Sequence, residues 1–591
     1  MLGTMRTILT PVVAALAVLI PLSAPARAQD KPEPAADYTA FPDTPAITYH
    51  TGTFNGTEIH YLATAGTTTM VDRELEPAAK MFHISYRKVE PRYDGAGYGR
   101  LMGMLLEEED REGIIKDLLN RGIVSLMTAE EWAAKNDAEE GEPVAAPALP
   151  KDKVLNLLLE RGVPAEALFT FPDPKTRPLT FSFNGGPGSS SVWLHMGLFG
   201  PERVNHADEF GNPGAPPYET VHNEFGLLDR SDFVFIDPIS TGYSRAEEGT
   251  SAKDFHGLEN DISSVGEFIR RWLGDHDRWA SPKFLAGESY GTTRAAGLAQ
   301  HLVSRHGISL NGIMLISAVT NFQTIRFNVG NDDPHLLYFP SFAATARFHG
   351  KLSDRLTNMP MDEFVQEVRL FTLNEYAPAL LAGDTLPADE VDRIAGKVSE
   401  YLGITADYAK RVNLRFDVPR FNKELRRDEG LTVGRLDSRF TGIDRDDAGS
   451  SYEYDPSMNA INSIYTESFN DYVRRDLGYD SDLVYEILTG VYPWSYGRSG
   501  DNSYANVSER LRGAMHRTPS MKVFIASGYY DLATPFFATD YTTSHMQLDP
   551  SVRGNITTHY YEAGHMMYVH GPSLAQLRAD LDGFYDGALG E

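Results

Sequence analysis

The sequence predicts an α/β fold, a mainly parallel sheet with helices on both faces and a helical cap inserted into it. Three observations carry that expectation. From Ser182 to about Ile316 strand-like and helix-like segments alternate, which is how a parallel sheet with covering helices reads. From about 320 to 515 the buried strands give way to helices and polar loops. The strand pattern then resumes at Val523-Phe524-Ile525-Ala526 and at Ile556 to Tyr561, and the chain closes with a helix from about Leu574 to Tyr585.

Taken in order, residues 1–28 read as a signal peptide. Arg6 supplies a positive start, Ile8 to Leu22 is apolar, and Ala26-Arg27-Ala28 fits a small-residue cleavage site. The apolar stretch is broken by Pro11 and Pro21 and falls short of the roughly 20 residues that span a bilayer. Cleavage near Ala28 and a periplasmic or secreted bacterial protein without a membrane anchor are therefore expected. No twin arginine is present, which favours general export. Gln29 to Pro45 reads as a tether. The first part of the core, residues 29–320, starts with short β-like runs at Glu58 to Leu62 and Met81 to Tyr86. A helical insertion of about 88–176 follows, with Leu, Ile and Met at helical spacing. The strands Pro178 to Phe183, Phe233 to Ile236 and Phe284 to Ala286 come next, then a helix continuing through Leu298 to His306. Residues 321–515 form the expected helical cap, and 516–591 the second part of the core.

Composition narrows the function classes. The 591 residues are 42% apolar and 23% charged, which excludes disordered, collagen-like and coiled-coil chains. With 82 acidic against 54 basic residues, the net charge of −28 disfavours a nucleic-acid partner. The absence of cysteine excludes disulfides, thiolate metal sites and cysteine nucleophiles, so the size of the core has to supply stability. Asp444, Asp446 and Asp447 read as a solvated acidic loop, and the sequons at Asn55, Asn506 and Asn555 as chance matches. No metal and no organic cofactor is expected. The oligomeric state is open, a homodimer included.

The central chemical signal is Gly287-Glu288-Ser289-Tyr290-Gly291, between an apolar strand and a helix. Small flanking residues there permit a strained turn that lifts a serine hydroxyl above the sheet. A serine hydroxyl needs a neighbouring base, and the base needs an orienting group. The strand at 523–526 runs into Asp531, and the strand at 556–561 runs into His565, each at a strand end and in the order Ser, Asp, His. Asp237, Asp333, His195, His559 and His570 lack that combination. Asn184-Gly185-Gly186-Pro187-Gly188 follows the strand at 178–183. Its glycines let a backbone N–H approach an oxyanion, so Gly186 and Tyr290 are the expected pair of donors. A phosphate loop is the rival, but the lysine of that motif is missing.

The runs NGGPGSSS and GESYG, the segment IDPISTGYS at 236–244, the Asp531 loop and EAGHM together resemble the serine carboxypeptidase family. The resemblance implies an α/β-hydrolase fold and removal of C-terminal residues from peptide or protein substrates. It implies Ser289 as nucleophile, His565 as base and Asp531 as its orienter. Asn184, Gly185 and Glu288 correspond to the groups that bind the substrate's terminal carboxylate. Three positions depart from the family pattern: Ser182 stands in place of a tryptophan, Ser189 of a cysteine and Leu198 of a second glutamate. The thinner carboxylate network keeps an esterase or acyltransferase with the same triad as the alternative. A catalytically dead binding protein is the third class, which the intact Ser, Asp and His set argues against.

Overall fold

The computed structural model describes residues 42, 44–72, 74–92, 151–497 and 504–590. The expected signal peptide, residues 1–28, and most of the expected 88–176 insertion therefore lie outside the described residues. Nine strands form the path of the main sheet. They are β1 (Ala46–Phe54), β2 (Thr57–Val71), β3 (Pro77–Lys88), β4 (Leu179–Phe183), β5 (Asp232–Ile236), β6 (Lys283–Glu288), β7 (Gly312–Ile316), β8 (Lys522–Gly528) and β9 (Ile556–Tyr561). Their spatial order is β1-β2-β3-β5-β4-β6-β7-β8-β9, with Arg245–Ala246 pairing onto β3 as a tenth strand. Every pair from β5 to β9 is parallel, and β1, β2, β3 and β5 join antiparallel. The exchange of β4 and β5 followed by a run of parallel strands is the α/β-hydrolase topology.

Residue choice explains the parallel part. LTFSF, DFVFI and GIMLI are buried along their whole length, as strands covered on both faces must be. Alternate residues then serve opposite faces. Leu285, Ile313, Val523 and Ile525 pack against α1 (Leu258–Asp275) and α2 (Tyr290–His301). Phe284, Ala286, Met314 and Phe524 pack on the other face with Leu577, Leu581 and Phe584 of the last helix, Gly571–Leu589. β1 was not expected, because AITYHTGTF carries Thr, His and Gly and buries few of its residues.

The 321–515 segment divides between two packing environments. Helices between Asp333 and Glu424 share one apolar cluster, in which Phe339, Phe342, Val368, Tyr401 and Phe421 meet Leu532 and Phe536. The helix Pro456–Arg475 instead packs Ile464, Tyr465 and Phe469 into the core beside Trp193 and Tyr86. Of the 88–176 stretch, Lys151–Glu160 and Ala165–Leu168 are helical, while Glu90–Pro91 and Phe169–Thr170 pair as short strands. The helix Lys151–Glu160 buries Leu155 and Leu158 against Tyr49 and Leu62 of β1 and β2.

Candidate active site

The turn after β6 is built by close packing. Ser289 has φ 58° and ψ −128°, a backbone conformation that costs a non-glycine residue roughly 1–3 kcal/mol. Its N–H donates to the carbonyl of Ile316 at 3.0 Å, and its carbonyl accepts from the N–H and Oγ1 of Thr292. A side chain at 287 would collide with the carbonyl of Gly291, and one at 291 would lie 2.8 Å from the carbonyl of Phe183. Both outer glycines of the motif are therefore required by contact.

The glycine loop after β4 lies against this turn. A Cβ on Gly185 would sit 2.5 Å from the Tyr290 nitrogen, 2.8 Å from the Glu288 oxygen and 2.9 Å from Ser289 Cβ. Gly186 follows at φ 98°, exposed, and its N–H has no hydrogen-bond partner among the described residues. Tyr290 opens α2, where a backbone N–H lacks an intrahelical acceptor. Both N–H groups therefore lack a backbone partner within the fold. Arg294, fully buried in α2, holds the loop from beneath. Its Nη1 donates to the Asn184 carbonyl at 2.6 Å, its Nε pairs with Asp261 of α1 at 2.9 Å, and its guanidinium lies over the Phe183 and Tyr290 rings.

Asp531 and His565 meet at the ends of β8 and β9. His565 Nδ1 and Asp531 Oδ2 are 2.8 Å apart and both residues are buried. The carboxylate also accepts from the N–H groups of Ala533 and Thr534 and from Thr534 Oγ1. Burial by itself would lower the His565 pKa, but the Asp531 charge and hydrogen bond, helped by Glu288, outweigh it and move it above 6.5. Ser317 links this pair to the elbow, because its Oγ donates to the His565 carbonyl at 2.5 Å and it directly follows Ile316, the acceptor for Ser289. Ser289 Oγ makes no hydrogen bond to His565 or to any other described residue. Such bonds are often long in a substrate-free enzyme and tighten in the substrate complex.

Glu288, next to the serine, points away from solvent. Asn184 Nδ2 donates to its Oε1 at 3.1 Å, and the Tyr568 hydroxyl donates to its Oε2 at 2.5 Å. Burial raises its pKa to about 7, with the Asp531 charge adding to the rise and His565, Tyr568 and Asn184 opposing it. Asn184 is held at its other end as well, since its Oδ1 accepts from the Leu194 N–H. Leu198 and Ser182 are fully buried, and Leu198 brings no polar side-chain group to the network. Ser189 Oγ accepts from Trp193 Nε1, and its backbone bridges to Leu488.

The other residues weighed in the sequence have local roles. His195 stacks on Phe235 and bonds the Tyr86 hydroxyl. His559 pairs with Asp580, His570 bonds Ser573, and Asp333 accepts from Gln323. Asp237 accepts from the N–H and Oγ of Ser191. Asp444 accepts from the buried Lys423 ammonium at 2.6 Å. Among the described residues no cluster of His, Asp and Glu is arranged to hold a metal ion. Sequence reasoning missed Thr534, Ser317, Arg294, Tyr568 and the segment Arg435–Ser438. For Tyr568 a signal existed, its place three residues beyond His565 in the same loop.

The family model described as serine carboxypeptidase matches residues 167–359, a stretch holding Asn184, Glu288 and Ser289 but ending before Asp531 and His565. Among curated proteins, serine carboxypeptidase-like 2 of Arabidopsis thaliana is 28% identical over 25% of this chain and 34% of its own length. Serine carboxypeptidase 24 of the same plant is 30% identical over 26% of this chain and 32% of its own length. The chain thus spans about a third of the length of the curated relatives it matches. Among solved structures, Kex1(delta)p, a prohormone-processing carboxypeptidase from Saccharomyces cerevisiae, aligns with 17% identity and a TM-score of 0.42, over 71% of this chain and 85% of that one.

Proposed function

We propose that this chain, similar to serine carboxypeptidases across its nucleophile region, is an exported serine carboxypeptidase that removes C-terminal residues from peptides through an acyl-enzyme on Ser289. The observation that carries the reading is the buried Asp531–His565 pair, tied through Ser317 to the strained turn at Ser289. In this reading Ser289 Oγ attacks the scissile carbonyl carbon while His565 Nε2 takes its proton. The oxyanion is received by the N–H groups of Gly186 and Tyr290. The C–N bond then breaks, and the leaving amine takes the proton from His565. Water, deprotonated by the same imidazole, attacks the acyl carbon and frees Ser289. Asp531 holds the ring in the tautomer that keeps Nε2 a base. Asn184, Gly185 and Glu288 line the carboxylate end, and residues 321–515 serve as the cap.

Export is supported by the sequence of residues 1–28, and no helix among the described residues is long and apolar enough to cross a membrane. An esterase or acyltransferase is the second reading, favoured by one observation: the side chains of Asn184 and Glu288 are already bonded to each other and to Leu194 and Tyr568. Two substrates separate the readings. Peptides with free and amidated C-termini are incubated with the protein and with Ser289→Ala, and the products are weighed by mass spectrometry. Stepwise shortening of the free-acid peptide by the native protein alone is expected. Equal turnover of both peptides favours the esterase reading, and full activity in Ser289→Ala refutes both.

A further inference from the structure

We propose that Asp237 is a positioning residue that holds the oxyanion donor on Gly186 in place, an inference that rests on the acyl-enzyme reading of Ser289. The run from Asn184 to Ser191 is a turn with two limbs, closed where the Ser189 N–H donates to the Gly185 carbonyl at 3.2 Å. The incoming limb is fixed at Asn184 by Arg294 and by the Leu194 N–H. The outgoing limb ends at Ser191, whose N–H and Oγ both donate to Asp237 Oδ1, at 2.8 and 2.7 Å. Gly186, at φ 98°, sits between the limbs with no backbone hydrogen bond of its own among the described residues. Its direction is therefore set by where the two limbs are held.

Asp237 reaches the outgoing limb by a second route as well. Its Oδ2 packs so closely on the following loop that a Cβ on Gly242 would lie 1.7 Å from it. The Gly242 N–H and carbonyl pair with Glu486 at 2.8 and 3.0 Å. The residues after Glu486 then meet the glycine loop. The Ile487 carbonyl accepts from the Ser190 N–H at 3.0 Å, and the Thr489 N–H donates to the Gly188 carbonyl at 2.9 Å. Three anchors of the outgoing limb, at Gly188, Ser190 and Ser191, thus converge on Asp237, directly or through Gly242. Asp237 is in turn fixed to the sheet. It directly follows β5, its N–H donates to the Phe82 carbonyl of β3 at 3.1 Å, and its carbonyl accepts from Ser244 Oγ at 2.6 Å.

A carboxylate is a costly way to hold a loop. Asp237 is 1% exposed, and a buried charge is disfavoured unless its hydrogen bonds compensate. The arginine of its own loop, Arg245, donates instead to the carbonyls of Gly242, Ser244 and Val484. What the charge returns is two charge-assisted bonds from one residue, which are shorter and stronger than neutral ones. Oxyanion donors stabilise a transition state only where they need not move as the charge develops. Stiffness of that kind is what a twice-bonded carboxylate supplies to the limb that carries Gly186.

The test uses an ester substrate and a boronic acid of the same acyl part, which adds to the serine hydroxyl as a tetrahedral anion and so needs the oxyanion donors. Asp237→Ala is expected to lower kcat about tenfold to a hundredfold, less than outright loss of one donor. KM should stay within about twofold, because the interaction is made in the transition state, and boronic acid affinity should fall by the same factor as kcat. Rates are taken per Ser289 labelled to completion by an active-site phosphonate, which separates a displaced donor from a fraction of unfolded protein. Asp237→Asn keeps an acceptor for both Ser191 donors and recovers most of the loss. An unchanged kcat in Asp237→Ala overturns the proposal, as does a fall in kcat that the boronic acid does not follow, or an asparagine variant no faster than the alanine one. If Asp237→Ala does not fold, Ser191→Ala takes its place. It removes only the Oγ donor and is expected to lower kcat roughly threefold to tenfold; a native kcat there overturns the proposal. A native protein that turns over no ester and is not labelled at Ser289 refutes the acyl-enzyme reading instead.

Discussion

His565 Nδ1 lies 2.8 Å from Asp531 Oδ2, and three further donors, two from backbone and one from Thr534, fix the same carboxylate. With every direction around the carboxylate filled by a donor, an amide at 531 has to turn its own N–H toward another N–H or toward the ring. The imidazole then loses the tautomer in which Nε2 is free to take a proton. Asp531→Asn is expected to lower kcat about 10⁴-fold with little change in KM. Steady-state kinetics on an ester substrate check this, and a loss under tenfold would falsify the orienting role.

The proposed oxyanion donors, Gly186 and Tyr290, give a steric prediction. A methyl group at 185 would lie 2.5 Å from the Tyr290 nitrogen and 2.8 Å from the Glu288 oxygen, both backbone atoms that cannot move aside cheaply. Gly185→Ala therefore pushes the glycine loop off the elbow and separates the two N–H donors. A fall in kcat of about 10²–10³ is expected, the cost of one misplaced oxyanion donor. Circular dichroism and thermal melting verify that the variant folds; near-native kcat in a folded variant removes Gly186 from the oxyanion role.

Much of this was readable before any coordinates. The fully buried strands announce themselves as apolar runs, and loops at their C-terminal ends hold Ser289, Asp531 and His565. β1 escaped because its Thr- and Gly-containing run has no strict alternation. The supporting residues escaped for another reason. Thr534, Ser317 and Arg294 act through polar contacts whose partners are set by the path of the chain in space, and a sequence period carries no trace of that path. Ser317 bonds a residue 248 positions away. The Arg435–Ser438 segment lies in the 321–515 stretch in sequence and against the loops that hold Asp531 and His565 in space.

Arg294 offers a way to separate stability from positioning. Removing it alone leaves Asp261 charged and enclosed, so Arg294→Met is expected to destabilise by about 3–5 kcal/mol. Replacing the pair together, Arg294→Met with Asp261→Leu, removes the stranded charge and restores most of the melting temperature. The Asn184 carbonyl stays unsupported in the double variant, because only Arg294 Nη1 reaches it from this pair. Catalysis should therefore remain depressed, roughly tenfold or more in kcat, after stability has returned. Recovery of kcat in step with the melting temperature would assign Arg294 a purely structural part.

Glu288 makes the pH predictions. Its folded-state pKa of about 7 stands above the ordinary 4.5 because burial disfavours the anion. The folded protein thus binds the proton more tightly than the unfolded chain. The stability that follows is complete below about pH 4.5 and is lost as pH rises through about 7, on the order of 3 kcal/mol in total. Glu288→Gln carries no such loss, so its melting temperature should gain on the native protein between about pH 5 and pH 8. The activity profile moves in a linked way. The Glu288 charge helps hold the His565 pKa above 6.5, and a base works only when unprotonated. Removing that charge lowers the His565 pKa, so the acid limb of kcat/KM on an ester shifts to lower pH in Glu288→Gln. On free-acid peptides the native protein keeps an added preference for acid pH, because protonated Glu288 spares the substrate carboxylate a like charge, and the variant loses it. Profiles from about pH 4 to 9 on both substrates read out the two effects, and superimposable curves for the two proteins would show that Glu288 supports the elbow without acting on the reacting groups.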